Sequence, residues 1–91
     1  METRKRSISI FGLGYVGTVT AACLSSRGHR VIGVDPTPGK VQRIQDGMSP
    51  IVEKGVQELI GSASRHGLIS ATRDASAAQL LQLRQARVRS A

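Results

Sequence analysis

SISIFGLGYVGTVTAACLSSRGHRVIGVD, residues Ser7 to Asp35, is the stretch whose reading decides the fold. It holds Gly12, Gly14 and Gly17 and no charge before Arg27. Ser7 to Phe11 is rich in Ile and reads as a short buried parallel strand. The turn from Gly12 to Gly17 interrupts it. From Tyr15 to Arg27 the pattern changes. Val16, Val19 and Cys23 recur at helical spacing, and Ala21 and Ala22 favour helix. Gly28 stands just past the last turn, where helices commonly stop. Arg30 to Val34 is a second strand with β-branched residues, and Asp35 ends it.

Strand, Gly-x-Gly-x-x-Gly, helix, strand, acid is the full context of a dinucleotide-binding turn. Asp35 lies at about the twenty-residue interval that such a turn requires. Each residue has a mechanical reason. Gly12 permits the tight turn out of the strand, and Gly14 lets the backbone approach a pyrophosphate. Gly17 lets the helix pack close to the strand. The backbone N–H groups near Tyr15 and Val16 then face the phosphates at the positive end of the helix. Asp35 accepts hydrogen bonds from the adenosine ribose hydroxyls and repels an additional phosphate there, so NAD is favoured over NADP. Lys40 is placed to close over the ribose or phosphate side.

The rest of the chain extends this unit. Asp35-Pro-Thr-Pro-Gly39 is turn chemistry. Pro38 or Gly39 opens a short helix with Val41 and Ile44 on one face, and Gly47 ends it. Met48 to Glu53 is a loop containing Pro50. Val52, Val56, Leu59, Ile60 and Ala63 then recur at helical spacing through His66, with Gly67 as the C-terminal cap. Glu53 favours the start of this helix through its dipole. Leu68 to Thr72 reads as a third strand. From Ala75 onward the chain is rich in Ala, Leu, Gln and Arg and favours helix by propensity. The fold expected is α/β: a partial Rossmann fold of βαβ type with three parallel strands in the order 3-2-1 and a C-terminal helical tail. Residues 1–74 are expected to form a truncated NAD-binding domain and 75–91 a divergent basic tail. The first strand is then an apolar edge through which copies of the chain can self-associate.

Ninety-one residues bound the chain to one small domain. With 2% aromatics the core must come from Val, Ile, Leu and Ala. The formal charge of +7 is concentrated at Arg4, Lys5 and Arg6 and at Arg84, Arg87 and Arg89. No aromatic platform accompanies it, so these ends read as solvated tails and not as a specific nucleic-acid site. Cys23 is the single cysteine. It excludes an intramolecular disulfide, suits a cytoplasmic setting and reads as core packing. No metal site is expected, and His29 and His66 read as cap or surface groups near helix ends. An alternative treats Ser7 to Ser26 as an apolar export segment, with "TVTAAC" as a lipoprotein-type signal ending at Cys23. The glycines and the hydroxyls of Ser9, Thr18 and Thr20 dilute that run.

The same residues resemble the N-terminus of the UDP-glucose/GDP-mannose dehydrogenase family. "GLGYVG", "GH-VIGVD", Lys40 and "SPIVE" at Ser49 to Glu53 match in order over roughly Ser7 to Asp74. "SPIVE" and "CLSSRGH" resemble the GDP-mannose 6-dehydrogenase branch more than the UDP-glucose 6-dehydrogenase branch, which stands as the alternative. The resemblance implies an enzyme that oxidises a sugar-nucleotide C6 alcohol to a carboxylate in two NAD-dependent steps, some members supplying uronic acids for polysaccharides. It also implies that Tyr15, Val16, Asp35 and Lys40 line the NAD site. Lys54 departs from the family's usual proline. The family's catalytic cysteine, lysine and asparagine have no counterpart here, and Cys23 does not match that nucleophile. The chain is therefore expected to bind NAD weakly, to meet the sugar nucleotide only as part of a longer enzyme, and to hold no catalytic residue.

Overall fold

The computed structural model describes residues 5–78. Its elements are β1 (Ser7–Phe11), α1 (Tyr15–Ser26), β2 (Arg30–Val34), α2 (Pro38–Gln45), α3 (Lys54–Arg65) and β3 (Ile69–Thr72). The three strands are parallel in the spatial order β1-β2-β3, with β2 in the centre. Ile8 pairs with Val31, which pairs with Ile69. Residues in register share a face of the sheet. One face therefore carries Ile8, Ile10, Val31, Ile69 and Ala71.

Helices cover that face. Leu13, Ala21, Ala22, Val31, Ile44, Val56, Ile60, Ala63, Ile69 and Ala71 form one buried cluster, against which Ile10, Val41, Leu59 and Leu68 pack. The opposite face carries a smaller cluster of Ile32, Val34 and Ala78. Residues 75–78 begin a helical turn. The Asp74 carboxylate accepts the Ser76 N–H at 2.8 Å and caps its start. The rest of the expected helical tail lies outside the described residues.

All three helices end alike. Gly28, Gly47 and Gly67 follow α1, α2 and α3 in the left-handed region. In each case the next residue donates back across the last turn: His29 to Leu24, Met48 to Arg43 and Leu68 to Ala63. These paired bonds satisfy carbonyls that a helix end otherwise leaves without partners. The three stops expected from the sequence are the three stops found.

Several expectations need correction. The fully buried residues of α1 are Thr18, Ala21, Ala22 and Ser25; of the three expected, only Val19 packs against the core, partly buried, and Val16 and Cys23 do not. Val16 is 77% exposed, and Cys23 is exposed too. The cause is close packing: a Cβ at Gly17 would stand 1.9 Å from the Gly12 carbonyl oxygen. The start of the helix therefore lies close to the turn, and the residues buried along α1 at 18, 21, 22 and 25 are all small, so size decides this face more than hydrophobicity. Strand β1 is half-buried, not buried, because it lies at an edge among the described residues and Phe11 is 67% exposed. Val52 is fully exposed in the loop before α3 and not on its apolar face, because Glu53 is extended and only Lys54 begins the helix. His29 is buried, and its Nδ1 accepts the Arg6 N–H at 3.0 Å. It belongs to the join between α1 and the sheet and is no surface group. His66 is the exposed cap expected, with Nδ1 2.8 Å from the Ser62 carbonyl.

The uncharged run from Ser7 to Ser26 is divided among a strand, a turn and a helix. Among the described residues no helix is long and apolar enough to cross a membrane. This corrects the reading of that run as one continuous apolar segment.

The glycines give a contrast in stability. Gly17→Ala drives a methyl group into backbone, and the expected outcome is loss of cooperative folding. Gly61 is inside α3, where a new Cβ meets only ordinary contacts at 3.5 Å or more. Gly61→Ala is expected to raise stability by about 0.5–1 kcal/mol. Thermal melts followed by circular dichroism check both.

Candidate functional site

The site is built at the C-terminal ends of β1 and β2, where a parallel sheet opens onto the start of its helices. Gly12 leaves β1 with φ +97°, a conformation that side chains rarely adopt, and its N–H still donates to the Val34 carbonyl at 2.7 Å. Gly14 is the N-cap of α1, and a Cβ built on it meets nothing within 4 Å. No side chain caps this end of α1. The first helical hydrogen bond is Thr18 N–H to Gly14 C=O at 2.9 Å. The N–H groups of Tyr15, Val16 and Gly17 precede it and lie at the positive end of the helix dipole.

Asp35 immediately follows β2 and is 5% exposed. Its Oδ2 accepts the Leu13 N–H at 2.7 Å and its Oδ1 accepts the Thr37 N–H at 2.9 Å. The carboxylate thus joins the glycine turn to the turn that begins α2. The Leu13 and Thr37 amides hold its pKa below the ordinary value, against the opposing effect of burial, and the charge of Lys40 adds a smaller lowering. Two N–H donors fill two of the roughly four acceptor positions of a carboxylate. The remainder can receive ribose hydroxyls.

The structure brings Gly12, Gly14, Tyr15, Val16, Gly17, Asp35 and Lys40 to one end of the sheet. Lys40 is half-buried in the first turn of α2. Tyr15 is exposed, and its hydroxyl donates to Glu53 Oε2 at 3.4 Å, a long contact that spans from α1 to the start of α3. The residues fit a dinucleotide. An uncapped helix start takes phosphate, an open glycine admits it, and an ionised carboxylate lies beside both. Among the described residues no cluster of His, Cys, Asp or Glu is arranged to hold a metal.

Sequence reasoning missed Leu13, Thr18 and Gly33. Leu13 occupies an unspecified position of the glycine pattern yet is 1% exposed. A Cβ on Gly33 would lie 2.7 Å from Leu13 Cδ2, so the glycine in β2 is the slot that receives this leucine. An isolated glycine inside a β-branched strand was the available signal, since it marks a close approach.

The lowered Asp35 pKa fixes the sign of a pH effect. Between its ordinary value of 3.8 and its folded value, the unfolded chain binds a proton that the folded chain does not. Stability therefore rises with pH through that window and is lost as pH falls through the folded pKa. The melting temperature of the wild-type chain is expected to fall below about pH 4 more steeply than that of Asp35→Asn. Melts of both chains between neutral pH and pH 2 measure the difference.

Comparison with known proteins agrees with this geometry. The model of the NAD binding domain of the UDP-glucose/GDP-mannose dehydrogenase family matches residues 6–82. GDP-mannose 6-dehydrogenase of Pseudomonas aeruginosa is 55% identical over 67 residues, which is 74% of this chain and 15% of that protein. A ternary complex of GDP-mannose dehydrogenase from Pseudomonas aeruginosa superposes with a TM-score of 0.75 at 54% identity, covering 78% of this chain and 16% of that one. UDP-glucose dehydrogenase from Pyrobaculum islandicum superposes with a TM-score of 0.75 at 40% identity, covering 82% of this chain and 17% of that one. This chain thus corresponds to less than a fifth of the length of these relatives. With its three parallel strands, glycine turn and acidic β2 terminus, the chain belongs to the UDP-glucose/GDP-mannose dehydrogenase family and carries the family's NAD-binding fold.

Proposed function

We propose that this chain grips the adenosine and pyrophosphate portion of NAD, as the NAD-binding segment of a nucleotide-sugar 6-dehydrogenase of the GDP-mannose type. The observation that carries the reading is the pairing of Asp35 with the uncapped start of α1 through Leu13. In this reading Tyr15 and Val16 present backbone N–H groups to the phosphates. Gly12, Gly14 and Gly17 admit the phosphates, Asp35 receives the ribose hydroxyls, and Lys40 lies on the same side. The higher identity to the GDP-mannose enzyme, 54% against 40% for the UDP-glucose enzyme, supports the GDP-mannose type.

The whole enzyme would oxidise the C6 alcohol of the sugar nucleotide to a carboxylate, with NAD accepting hydride in two steps. The setting would be the cytoplasm. We assign no catalytic role to any residue of this chain. Its part is to orient the cofactor, so NAD alone is expected to bind weakly. The described residues supply donors and acceptors for the adenosine half, and affinity scales with the part of a ligand that a site can bury.

Calorimetric titration of the full chain with NAD, ADP-ribose and NADP tests this. ADP-ribose is expected to bind about as well as NAD, within roughly threefold, because the recognised half is common to both. NADP is expected to bind roughly tenfold or more weakly, because its 2′-phosphate meets the Asp35 carboxylate. Equal affinity for NAD and NADP contradicts the role given to Asp35. Strong dependence on the nicotinamide contradicts the half-site.

A further inference from the structure

We infer that Thr18, buried and away from the open side of the turn, is a positioning residue for phosphate recognition: with Asp35 it clamps the Leu13 peptide units and so aims the turn's amides. The inference rests on the dinucleotide reading above and concerns how that site is held ready.

Leu13 stands between two glycines, and such a Gly-Leu-Gly segment is conformationally loose unless something outside it fixes the two peptide planes. Three contacts do so. Asp35 Oδ2 accepts the Leu13 N–H at 2.7 Å in a buried position. The Thr18 hydroxyl donates to the Leu13 carbonyl at 3.1 Å, also buried. The leucine side chain fills the slot left by Gly33.

A trans peptide is planar, and its C=O and N–H point in opposite directions. The Leu13 carbonyl shares its plane with the Gly14 N–H. Drawing the carbonyl inward to Thr18 therefore turns the Gly14 N–H outward, to the side where Gly14 has open space. The Leu13 N–H likewise shares its plane with the Gly12 carbonyl. Drawing that N–H to Asp35 sends the Gly12 carbonyl the other way, against the Cα of Gly17. Thr18 is 0% exposed, so its hydroxyl acts on the site through this bond and not by touching a ligand.

The test uses Thr18→Val, which removes the hydroxyl at nearly constant shape, and Thr18→Ser, which keeps it. Inorganic pyrophosphate and ADP-ribose are titrated into each folded full chain. Thr18→Val is expected to weaken both ligands by the same factor, roughly three- to tenfold, the size of one lost hydrogen bond. Thr18→Ser is expected to restore both. Wild-type affinity in Thr18→Val, or equal weakness in both variants, overturns the inference.

A second measurement needs no substitution. In the wild-type chain the Leu13 amide is expected to exchange with solvent far more slowly than the Gly14 amide. Equal exchange at the two positions overturns the clamp even where Thr18→Val fails to fold. If the wild-type chain binds neither ligand, the dinucleotide reading falls, while the exchange measurement still decides the clamp.

Discussion

The hydrogen bond from the Leu13 N–H to the Asp35 carboxylate is the constraint on which the rest of the structure depends. It ties the turn after β1 to the end of β2, residues that are remote in sequence and adjacent in space. Hydrogen bonds to a charged group are worth about 1.5–3 kcal/mol each, and Asp35 receives two. That gain offsets the several kcal/mol that burying an ion costs. The geometric consequence is larger than the energetic one. With the Leu13 N–H directed at Asp35, the Gly12 carbonyl points at α1, and only a residue without a side chain fits at position 17.

Close approach at Gly17 then sets the packing of α1. The helix meets its neighbours through Thr18, Ala21, Ala22 and Ser25, which allow short distances. The hydroxyls of Thr18 and Ser25 are satisfied by backbone carbonyls at 3.1 Å, so small polar residues can take core positions without leaving a buried group unpaired. The same approach places the positive end of α1 beside an ionised carboxylate without neutralising it, because Asp35 bonds to Leu13 and Thr37 and not to the first turn of α1. The helix start therefore stays available for phosphate.

Much of this was legible in the sequence. The strand boundaries of β1 and β2, the helix stops at Gly28, Gly47 and Gly67 and the location of Asp35 follow from local chemistry: β-branched runs, glycine punctuation and an acid after a strand; the strand order follows from the fold that the glycine motif implies. The burial of α1 was not legible from hydropathy. Its exposed side carries Val16 and Cys23, while its inner side carries Thr18 and Ser25, so apolar periodicity held only for the partly buried Val19. The third glycine of the motif signals the close approach of α1 to the turn, which small inward residues accommodate. Leu13 and His29 were hidden for a different reason. Each acquires its role from partners more than twenty residues away in the chain, Asp35 and Arg6, and no local pattern encodes such a pairing.

The central claim is that a dinucleotide's phosphates sit over the glycine turn with the ribose at Asp35. Amide chemical shifts of the full chain during titration with ADP-ribose test it most directly, residue by residue. The account predicts the largest shifts at Gly14, Tyr15 and Val16, with a second group at Asp35 and Thr37. The open cavity of about 350 Å³ between the C-terminal ends of α1 and α3, lined by Ser25, Ser62 and His66, should stay unperturbed. Saturable shifts confined to that cavity, or none at the glycine turn, would contradict the account.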